Sequence, residues 1–110
     1  MDTLHDWVKK LKESNKLIIV EGIKDKKTLN ELGIGKVITI NKPLFELVEE
    51  IASLTNECVL LLDLDSEGRK LYSSLKKNLE RNKVKIDNRY REFLFSNTHI
   101  SNIEGLKNYL

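Results

Sequence analysis

Two short apolar runs, each followed at once by acidic residues, constrain the fold of this chain most strongly. Residues 17–20 are all aliphatic and lead into Glu21, and the apolar residues 58–62 lead into Asp63 and Asp65. Runs without alternating polar residues are typical of strands that are covered on both faces of a parallel sheet. Ligands bind such sheets outside the carboxyl ends of the strands, where the strand order reverses. We therefore expect Glu21, Asp63 and Asp65 to converge on one small site.

Amphipathic segments separate these runs and indicate helices on both faces of the sheet. Helical periodicity covers residues 3–13, 44–54 and 67–82, a short helix is expected over 26–32, and further strands are predicted at 36–40 and 83–87. Alternating strands and helices imply a parallel sheet with right-handed crossovers. The predicted fold class is α/β, a three-layer α/β/α domain whose mostly parallel four-stranded sheet has the order 2-1-3-4. Phe93-Leu94-Phe95 is expected to extend this sheet or to form an edge strand.

The length of 110 residues indicates a single domain, 1–110. Residues 1–15 are expected to hold an N-terminal helix and residues 100–110 a C-terminal helix. The only cysteine, Cys58, leaves no partner for an intrachain disulfide and no multi-cysteine zinc site. The polar start of the chain, and apolar runs far shorter than the roughly 18–20 residues that span a bilayer, favour a cytoplasmic protein with no membrane partner.

The charge of the chain is unevenly distributed. The net charge of +2 is too small to indicate nucleic-acid binding by itself. Residues 66–92, however, carry 9 basic and 4 acidic residues, so the basic excess begins directly after the second acidic stretch. This arrangement suits a metal site beside a phosphate-binding surface, although a solvated helix face is the simpler and more common explanation.

The acidic residues at the strand ends predict a divalent metal ion. Converging carboxylates repel one another unless a cation or a proton neutralises them. Hard oxygen ligands without a cluster of histidines or cysteines favour Mg²⁺ or Mn²⁺ over Zn²⁺. Asp25 leaves two interpretations open, because it follows the first acidic residue but is also placed to cap the next helix.

Two motifs give the chain a resemblance to a known family. The first is a strand ending in Glu-Gly-x-x-Asp, here Glu21 to Asp25, and the second is a strand ending in Asp-x-Asp-x-x-Gly, here Asp63 to Gly68. In this order and at strand ends they resemble the Toprim domain, the metal-binding catalytic domain of topoisomerases, bacterial-type primases and some nucleases. The resemblance covers about residues 16–95. In its length and its basic stretch, the chain is most similar to the small stand-alone Toprim proteins related to the ribonuclease that matures 5S ribosomal RNA.

The resemblance implies a role for each matching residue. Glu21 corresponds to the general acid or base, and it is also expected at the metal with the coordinating pair Asp63 and Asp65. Gly22 and Gly68 correspond to the turn glycines, and Asp25 to a supporting aspartate. The implied cofactor is Mg²⁺ or Mn²⁺, and the implied partner is nucleic acid, with RNA favoured over DNA. Candidates for holding the sugar-phosphate backbone are Lys24, Lys26, Arg69, Lys70, Arg89 and Arg91.

Four hypotheses follow for the activity. The leading one is a magnesium-dependent enzyme acting on nucleic-acid phosphodiester bonds, most simply a small RNA nuclease. The second is a non-catalytic, metal-assisted nucleic-acid-binding module that works in a complex, with a protein partner supplying further domains. The third is a small phosphatase, because Asp63-Leu64-Asp65 also resembles the Asp-x-Asp motif of haloacid dehalogenase-type phosphatases. The fourth is a domain whose strand-end acids are only helix caps and turn formers.

Overall fold

A four-stranded sheet forms the centre of the protein, in a computed structural model that describes residues 1–110. All strand pairs are parallel and their order is β2-β1-β3-β4, as the sequence predicts. The strands are β1 Leu17–Val20, β2 Val37–Thr39, β3 Glu57–Leu60 and β4 Lys85–Ile86. The helices are α1 Leu4–Ser14, α2 Ile23–Glu31, α3 Leu44–Leu54, α4 Ser66–Arg81 and α5 Arg89–Asn97, followed by a C-terminal 3₁₀ helix, Ile103–Tyr109.

The sheet is covered on both faces, which confirms the three-layer α/β/α architecture. Successive residues of a strand point to opposite faces. Ile18 and Val20 of β1 accordingly lie in one apolar cluster with side chains of α1, α2, α5 and the 3₁₀ helix. Ile19, between them, lies in the second cluster with side chains of α3 and α4. Helices cover both faces of β1, and accordingly all four of its residues, Leu17 to Val20, are apolar.

Helix α1 closes one edge of the first cluster. The Thr3 side chain caps it by accepting a hydrogen bond from the Asp6 amide, 3.0 Å away. Trp7 is fully buried, and its indole N–H donates to the Tyr90 carbonyl oxygen at 2.9 Å. The two rings meet edge to face, with centroids 6.1 Å apart, so α1 and α5 are joined by both packing and a hydrogen bond.

The prediction that Phe93-Leu94-Phe95 adds a strand is wrong, because these residues lie in the middle of α5. Tyr90, Phe93 and Leu94 are buried and follow the i, i+3, i+4 spacing of a helix face. Phe95 points away from that face and is 52% exposed. Taken alone, the three apolar residues resemble a strand, but Phe93 and Leu94 together with Tyr90 follow the spacing of a helix.

Two further boundaries differ from the predictions. Helix α2 begins at Ile23 rather than at residue 26, and the last helix is a 3₁₀ helix that starts at Ile103. Asn102 initiates it, since its side-chain oxygen accepts a hydrogen bond from the Gly105 amide at 2.8 Å. None of the helices has the length and apolar composition that crossing a bilayer requires.

An ion-pair cluster around the buried Asp87 joins the amino ends of β1 and β3 to the residues that follow β4. Asp87, just after β4, accepts hydrogen bonds from Lys16 Nζ at 2.7 Å and from Arg89 Nε and a terminal Arg89 nitrogen at 3.0 and 2.8 Å. Lys16 immediately precedes β1, and it also pairs with Glu57 at the start of β3. Arg89 and then Lys16 hold the pKa of the Asp87 carboxyl well below its usual range.

We expect the Asp87→Asn substitution to lower the free energy of unfolding at pH 7 by about 1–3 kcal/mol, because it removes charge-assisted hydrogen bonds from a buried site. The pKa of Asp87 is lower in the folded protein than in the unfolded one. Its contribution is therefore complete above about pH 4 and is lost as the pH falls below that value. Urea unfolding followed by circular dichroism at pH 7 and at pH 2.5 measures both effects.

The matched control is Glu57→Gln, which removes a more exposed partner of the same lysine and costs less than about 1 kcal/mol. If the two variants were equally stable at pH 7, the role assigned to Asp87 would be wrong.

Candidate metal and nucleic-acid site

The two acidic turns, residues 21–25 and 63–68, meet at the carboxyl ends of the two central strands. β1 and β3 are neighbours, and the Leu61 amide continues their pairing by donating to the Ile19 carbonyl oxygen at 2.9 Å. Glu21 Oε1 then accepts a hydrogen bond from the Asp63 amide at 3.1 Å. The strand order reverses between these strands, so the structure brings Glu21 and Asp63 together at the expected crevice.

Asp63 is a partly buried carboxylate without a cationic partner. Burial, followed by the negative charges of Glu21 and Asp25, raises its pKa to about 6. The Ile103 amide, 3.4 Å from Asp63 Oδ1, opposes this rise only in part. A carboxylate in this environment gains stability from a nearby cation.

The C-terminal segment, residues 101–103, makes two hydrogen bonds to the second acidic turn. Besides the Ile103 amide, the Ser101 carbonyl oxygen accepts a hydrogen bond from the Leu64 amide at 2.7 Å. The sequence gives no signal for these contacts, because the groups that the C-terminal segment supplies are a backbone amide and a backbone carbonyl, and residues 103 and 63 lie 40 positions apart. Sequence motifs that span a few residues cannot predict a contact over such a separation.

Asp25 is buried within the first turn of α2. One of its carboxylate oxygens accepts a hydrogen bond from the Gly22 amide at 3.1 Å, which closes the turn behind Glu21. The structure corrects the expected capping position: Gly22 is the N-cap residue, and Asp25 lies three residues later inside α2, where its carboxylate accepts the hydrogen bond of the N-cap amide. Burial raises the pKa of Asp25, and its charge in turn raises that of Asp63.

Asp65 begins α4 and lies exposed beside the site. Its Oδ1 accepts a hydrogen bond from the Gly68 amide at 2.7 Å, while its second oxygen has no partner in the chain. Gly68 is required here by close packing, because a Cβ at this position would lie only 2.0 Å from the Asp63 carbonyl oxygen. The Asp-x-Asp-x-x-Gly spacing thus lets the helix start directly against the turn that carries Asp63.

Two arginines contact the backbone of the second acidic turn. Arg69 donates from Nε to the Leu64 carbonyl oxygen at 3.0 Å and is otherwise exposed. Arg91 is buried, and one of its terminal nitrogens lies 3.5 Å from the Asp63 carbonyl oxygen. Its guanidinium lies 4.0 Å from the centroid of the Tyr72 ring, and its Nε has no hydrogen-bond partner. Burial lowers the pKa of Arg91.

The remaining basic candidates divide into two groups. Lys24 and Lys26 lie in the first turn of α2, and Lys70 lies at the start of α4, so all three are close in sequence to the acidic turns. Arg89 belongs elsewhere, since its guanidinium is paired with Asp87 at the amino ends of the strands.

The acidic residues do not enclose a metal ion by themselves. No group of three or more histidine, cysteine, aspartate or glutamate side chains is arranged as a complete ligand set. Mg²⁺ does not require one, because it keeps several waters and commonly binds one or two carboxylates together with substrate phosphates. Asp63, whose negative charge is not neutralised, and the free oxygen of Asp65 fit an ion held in this way.

Comparison with known proteins identifies the family. The model of the Toprim domain matches residues 16–102 of this chain. The chain belongs to the Toprim family. This match confirms the resemblance carried by the two acidic motifs, and Toprim domains generally bind divalent metal ions, usually Mg²⁺.

The chain is also similar to proteins of comparable length from other organisms. A UPF0292 protein of Methanocaldococcus jannaschii is 32% identical and a UPF0292 protein of Pyrococcus abyssi 37% identical, each over 92% of this chain, covering 83% and 79% of the relative. A solved structure of a protein from Aquifex aeolicus has a TM-score of 0.89 and 31% identity, covering 94% of this chain and 98% of that one.

A larger protein shares the Toprim fold. The crystal structure of the zinc-binding and RNA polymerase domains of the Aquifex aeolicus primase has a TM-score of 0.59 at 22% identity. The match covers 92% of this chain but only 26% of that primase chain. At this identity the likeness shows a common fold.

We expect Gly68→Ala to lower the free energy of unfolding by roughly 1–3 kcal/mol, because the new methyl group collides with the backbone of Asp63. In an unobstructed helix the same change stabilises by about 1 kcal/mol. Gly35→Ala is the control, since nothing lies within 4 Å of its Cβ position. Equal unfolding midpoints in urea for the two variants would contradict the close approach of Gly68 to Asp63.

We expect Asp63→Asn to stabilise the metal-free protein at pH 7 by about 1–2 kcal/mol. The pKa of Asp63 is higher in the folded than in the unfolded state, so this carboxylate reduces stability progressively as the pH rises from about 4 to about 6. Urea unfolding in the presence of a chelator, at pH 4 and at pH 7, measures the difference.

Asp65→Asn is the matched control for this measurement. Asn caps a helix as well as Asp does, and we therefore expect almost no change in stability. A loss of stability in Asp63→Asn at pH 7 would show that the Asp63 carboxylate is neutralised by the protein itself.

Proposed function

We propose that this Toprim protein is a magnesium-dependent enzyme that acts on phosphodiester bonds of nucleic acid, as a small RNA nuclease. The observation that carries the proposal is the contact between Glu21 and the Asp63 amide at the carboxyl ends of β1 and β3. It places two carboxylates side by side where no lysine or arginine pairs with either of them. Such a site stores negative charge that a bound cation neutralises.

Asp63 and Asp65, with Glu21 beside them, would hold the metal ion. When bound, Mg²⁺ or Mn²⁺ supplies positive charge for phosphate oxygens and for the charge that develops during phosphodiester cleavage. The oxygen ligands favour these two ions over zinc. The free oxygen of Asp65 and the raised pKa of Asp63 support this ligand pair.

Glu21 has the geometry of a group that transfers a proton. Its Oε1 is held by the Asp63 amide, and its Oε2 has no hydrogen-bond partner in the protein. One oxygen thus fixes the orientation of the carboxyl group while the other can reach a reacting hydroxyl or water. We assign the general acid or base role to this second oxygen.

We assign the binding of the nucleic-acid backbone to basic residues near the amino ends of α2 and α4. Lys24, Lys26, Arg69 and Lys70 lie there, and the amino end of a helix also attracts phosphate. RNA is favoured over DNA by the resemblance to the ribonuclease that matures 5S ribosomal RNA.

The second candidate is a non-catalytic, metal-assisted binding module. The incomplete ligand set suits this module as well as an enzyme, since a bound phosphate supplies further oxygen ligands in either case. The phosphatase hypothesis has less support, because its motif follows the first strand in those enzymes and follows β3 here. The caps-only hypothesis explains Asp25, Asp65 and the hydrogen bond that Glu21 accepts, but it gives no reason for the uncompensated negative charge of Asp63.

We expect purified protein to cleave structured RNA with Mg²⁺ or Mn²⁺, and Glu21→Gln to reduce the rate about 10²- to 10⁴-fold while the fold is kept. The glutamine oxygen can still accept the Asp63 amide hydrogen bond, so the variant changes proton transfer rather than the turn. Duplex DNA and single strands are tested alongside, with circular dichroism as the check on folding.

Two results separate the hypotheses. Cleavage that persists in both Glu21→Gln and Asp63→Asn would contradict the proposed site. Metal-dependent binding without cleavage by any variant would replace the nuclease with the binding module.

A further inference from the structure

Helices α4 and α5 exchange two arginine–aromatic pairs beside the second acidic turn. Arg91 of α5 lies against the ring of Tyr72 of α4 at 4.0 Å, and Arg69 of α4 lies against the ring of Phe95 of α5 at 5.0 Å. In the first pair Arg91 is only 7% exposed and Tyr72 is half-buried. The second pair is open to solvent, with Phe95 52% exposed. Two similar pairs therefore differ in whether a ligand can reach them.

The exposed pair is attached to the acidic site. Arg69 Nε donates to the carbonyl oxygen of Leu64, which lies between the two metal-ligand candidates Asp63 and Asp65. The two terminal nitrogens of Arg69 have no hydrogen-bond or ion-pair partner in the protein. The Nε side of the guanidinium is thus held by the protein, and the two terminal nitrogens can donate hydrogen bonds to a phosphate.

Phe95 differs from the other exposed apolar side chains. The large hydrophobic residues exposed at the surface are Ile23, Phe45, Leu54, Phe95, Tyr109 and Leu110. Among these six, Phe95 alone lies under an arginine. An aromatic ring combined with a cationic neighbour is the arrangement on which unpaired bases of single-stranded nucleic acid stack.

We propose that the Phe95 ring is a stacking surface for one unpaired nucleobase next to the acidic site, with the terminal nitrogens of Arg69 on the adjoining phosphate. This inference rests on the proposed function and deepens it by defining the substrate class. The substrate has a single-stranded segment at the point of reaction. Because every base has an aromatic face, the subsite selects unpaired over paired nucleotides rather than one base over another.

A tryptophan placed at position 95 reports the stacking directly. The protein has one tryptophan, Trp7, which is fully buried and gives a constant background. We expect a single-stranded oligonucleotide to quench the fluorescence of Phe95→Trp in the presence of Mg²⁺. An oligomer of the same length made only of abasic nucleotides should leave it unquenched. Single-stranded RNA and DNA are compared in parallel, and a blunt duplex of the same sequence should not quench.

Phe45→Trp is the matched control. Phe45 is 67% exposed and lies beside Asn78 and Asn82 near the far end of α4. At about 1.5 Å per helical residue, this is roughly 20 Å from the acidic turn. The new tryptophan there should respond to none of the ligands.

Binding measurements separate stacking from charge. We expect Phe95→Leu to weaken binding of a single strand roughly 5- to 150-fold, with the salt dependence unchanged, and Phe95→Tyr to bind like the original protein. Arg69→Gln should reduce the slope of log affinity against log salt by about one. Phe45→Leu should have no effect.

The outcomes distinguish this proposal from the one on which it rests. If the unmodified protein binds single strands but Phe95→Leu binds as well as Phe45→Leu, the stacking subsite is wrong and the proposed function stands. Quenching of both tryptophan variants to the same extent also overturns it. If the unmodified protein binds no nucleic acid with Mg²⁺ present, both proposals fail.

Discussion

The hydrogen bond from the Asp63 amide to the Glu21 carboxylate is the contact on which the site depends. It crosses the point where the strand order reverses, and it joins two turns that lie 42 residues apart in sequence. The parallel pairing of β1 and β3 delivers both turns to the same edge, and the hydrogen bond then fixes their relative position. The other parts of the site, Gly68 and the Ile103 amide, approach a turn that is already held in place.

Asp87 and Asp63 lie at opposite ends of the sheet, and their pKa values are shifted in opposite directions. At the amino ends, Asp87 is neutralised by Lys16 and Arg89, and its pKa is lowered. At the carboxyl ends, Asp63 has acidic neighbours, and its pKa is raised. The first arrangement stabilises the fold, whereas the second reduces stability until a cation or a proton is present. A carboxylate kept in an unfavourable environment is characteristic of functional sites.

Much of this molecule is predictable from local sequence. Unbroken aliphatic runs identify β1 and β3 as covered strands, and the alternation of elements then gives the parallel sheet and its order. The two motifs predict a site of Glu21, Asp63 and Asp65, and the structure brings Glu21 and Asp63 together because strand-end residues of neighbouring parallel strands meet at one edge. Gly68 also follows from spacing, although its physical reason, contact with the Asp63 backbone, is visible only in the structure.

Tertiary contacts explain what the sequence analysis missed. Phe93 to Phe95 look like a strand in isolation, and they are helical because Tyr90, Phe93 and Leu94 share a face that packs into the core with Trp7. Arg89 resembles a phosphate ligand by composition, but a buried aspartate two residues earlier binds its guanidinium. The support that Ser101 and Ile103 give to the acidic turn comes from backbone groups, which carry no residue-specific signal.

A titration of Mn²⁺ followed by electron paramagnetic resonance determines whether the strand-end carboxylates form a divalent-metal site. The spectrum of free Mn²⁺ is recorded with the unmodified protein, with Asp63→Asn and with Glu46→Gln, an exposed carboxylate on α3, with and without a single-stranded oligonucleotide. We expect one bound ion in the unmodified protein and in Glu46→Gln, displaced by excess Mg²⁺, and its loss in Asp63→Asn. Equal binding by all three proteins, or none by any of them with the oligonucleotide present, would contradict it.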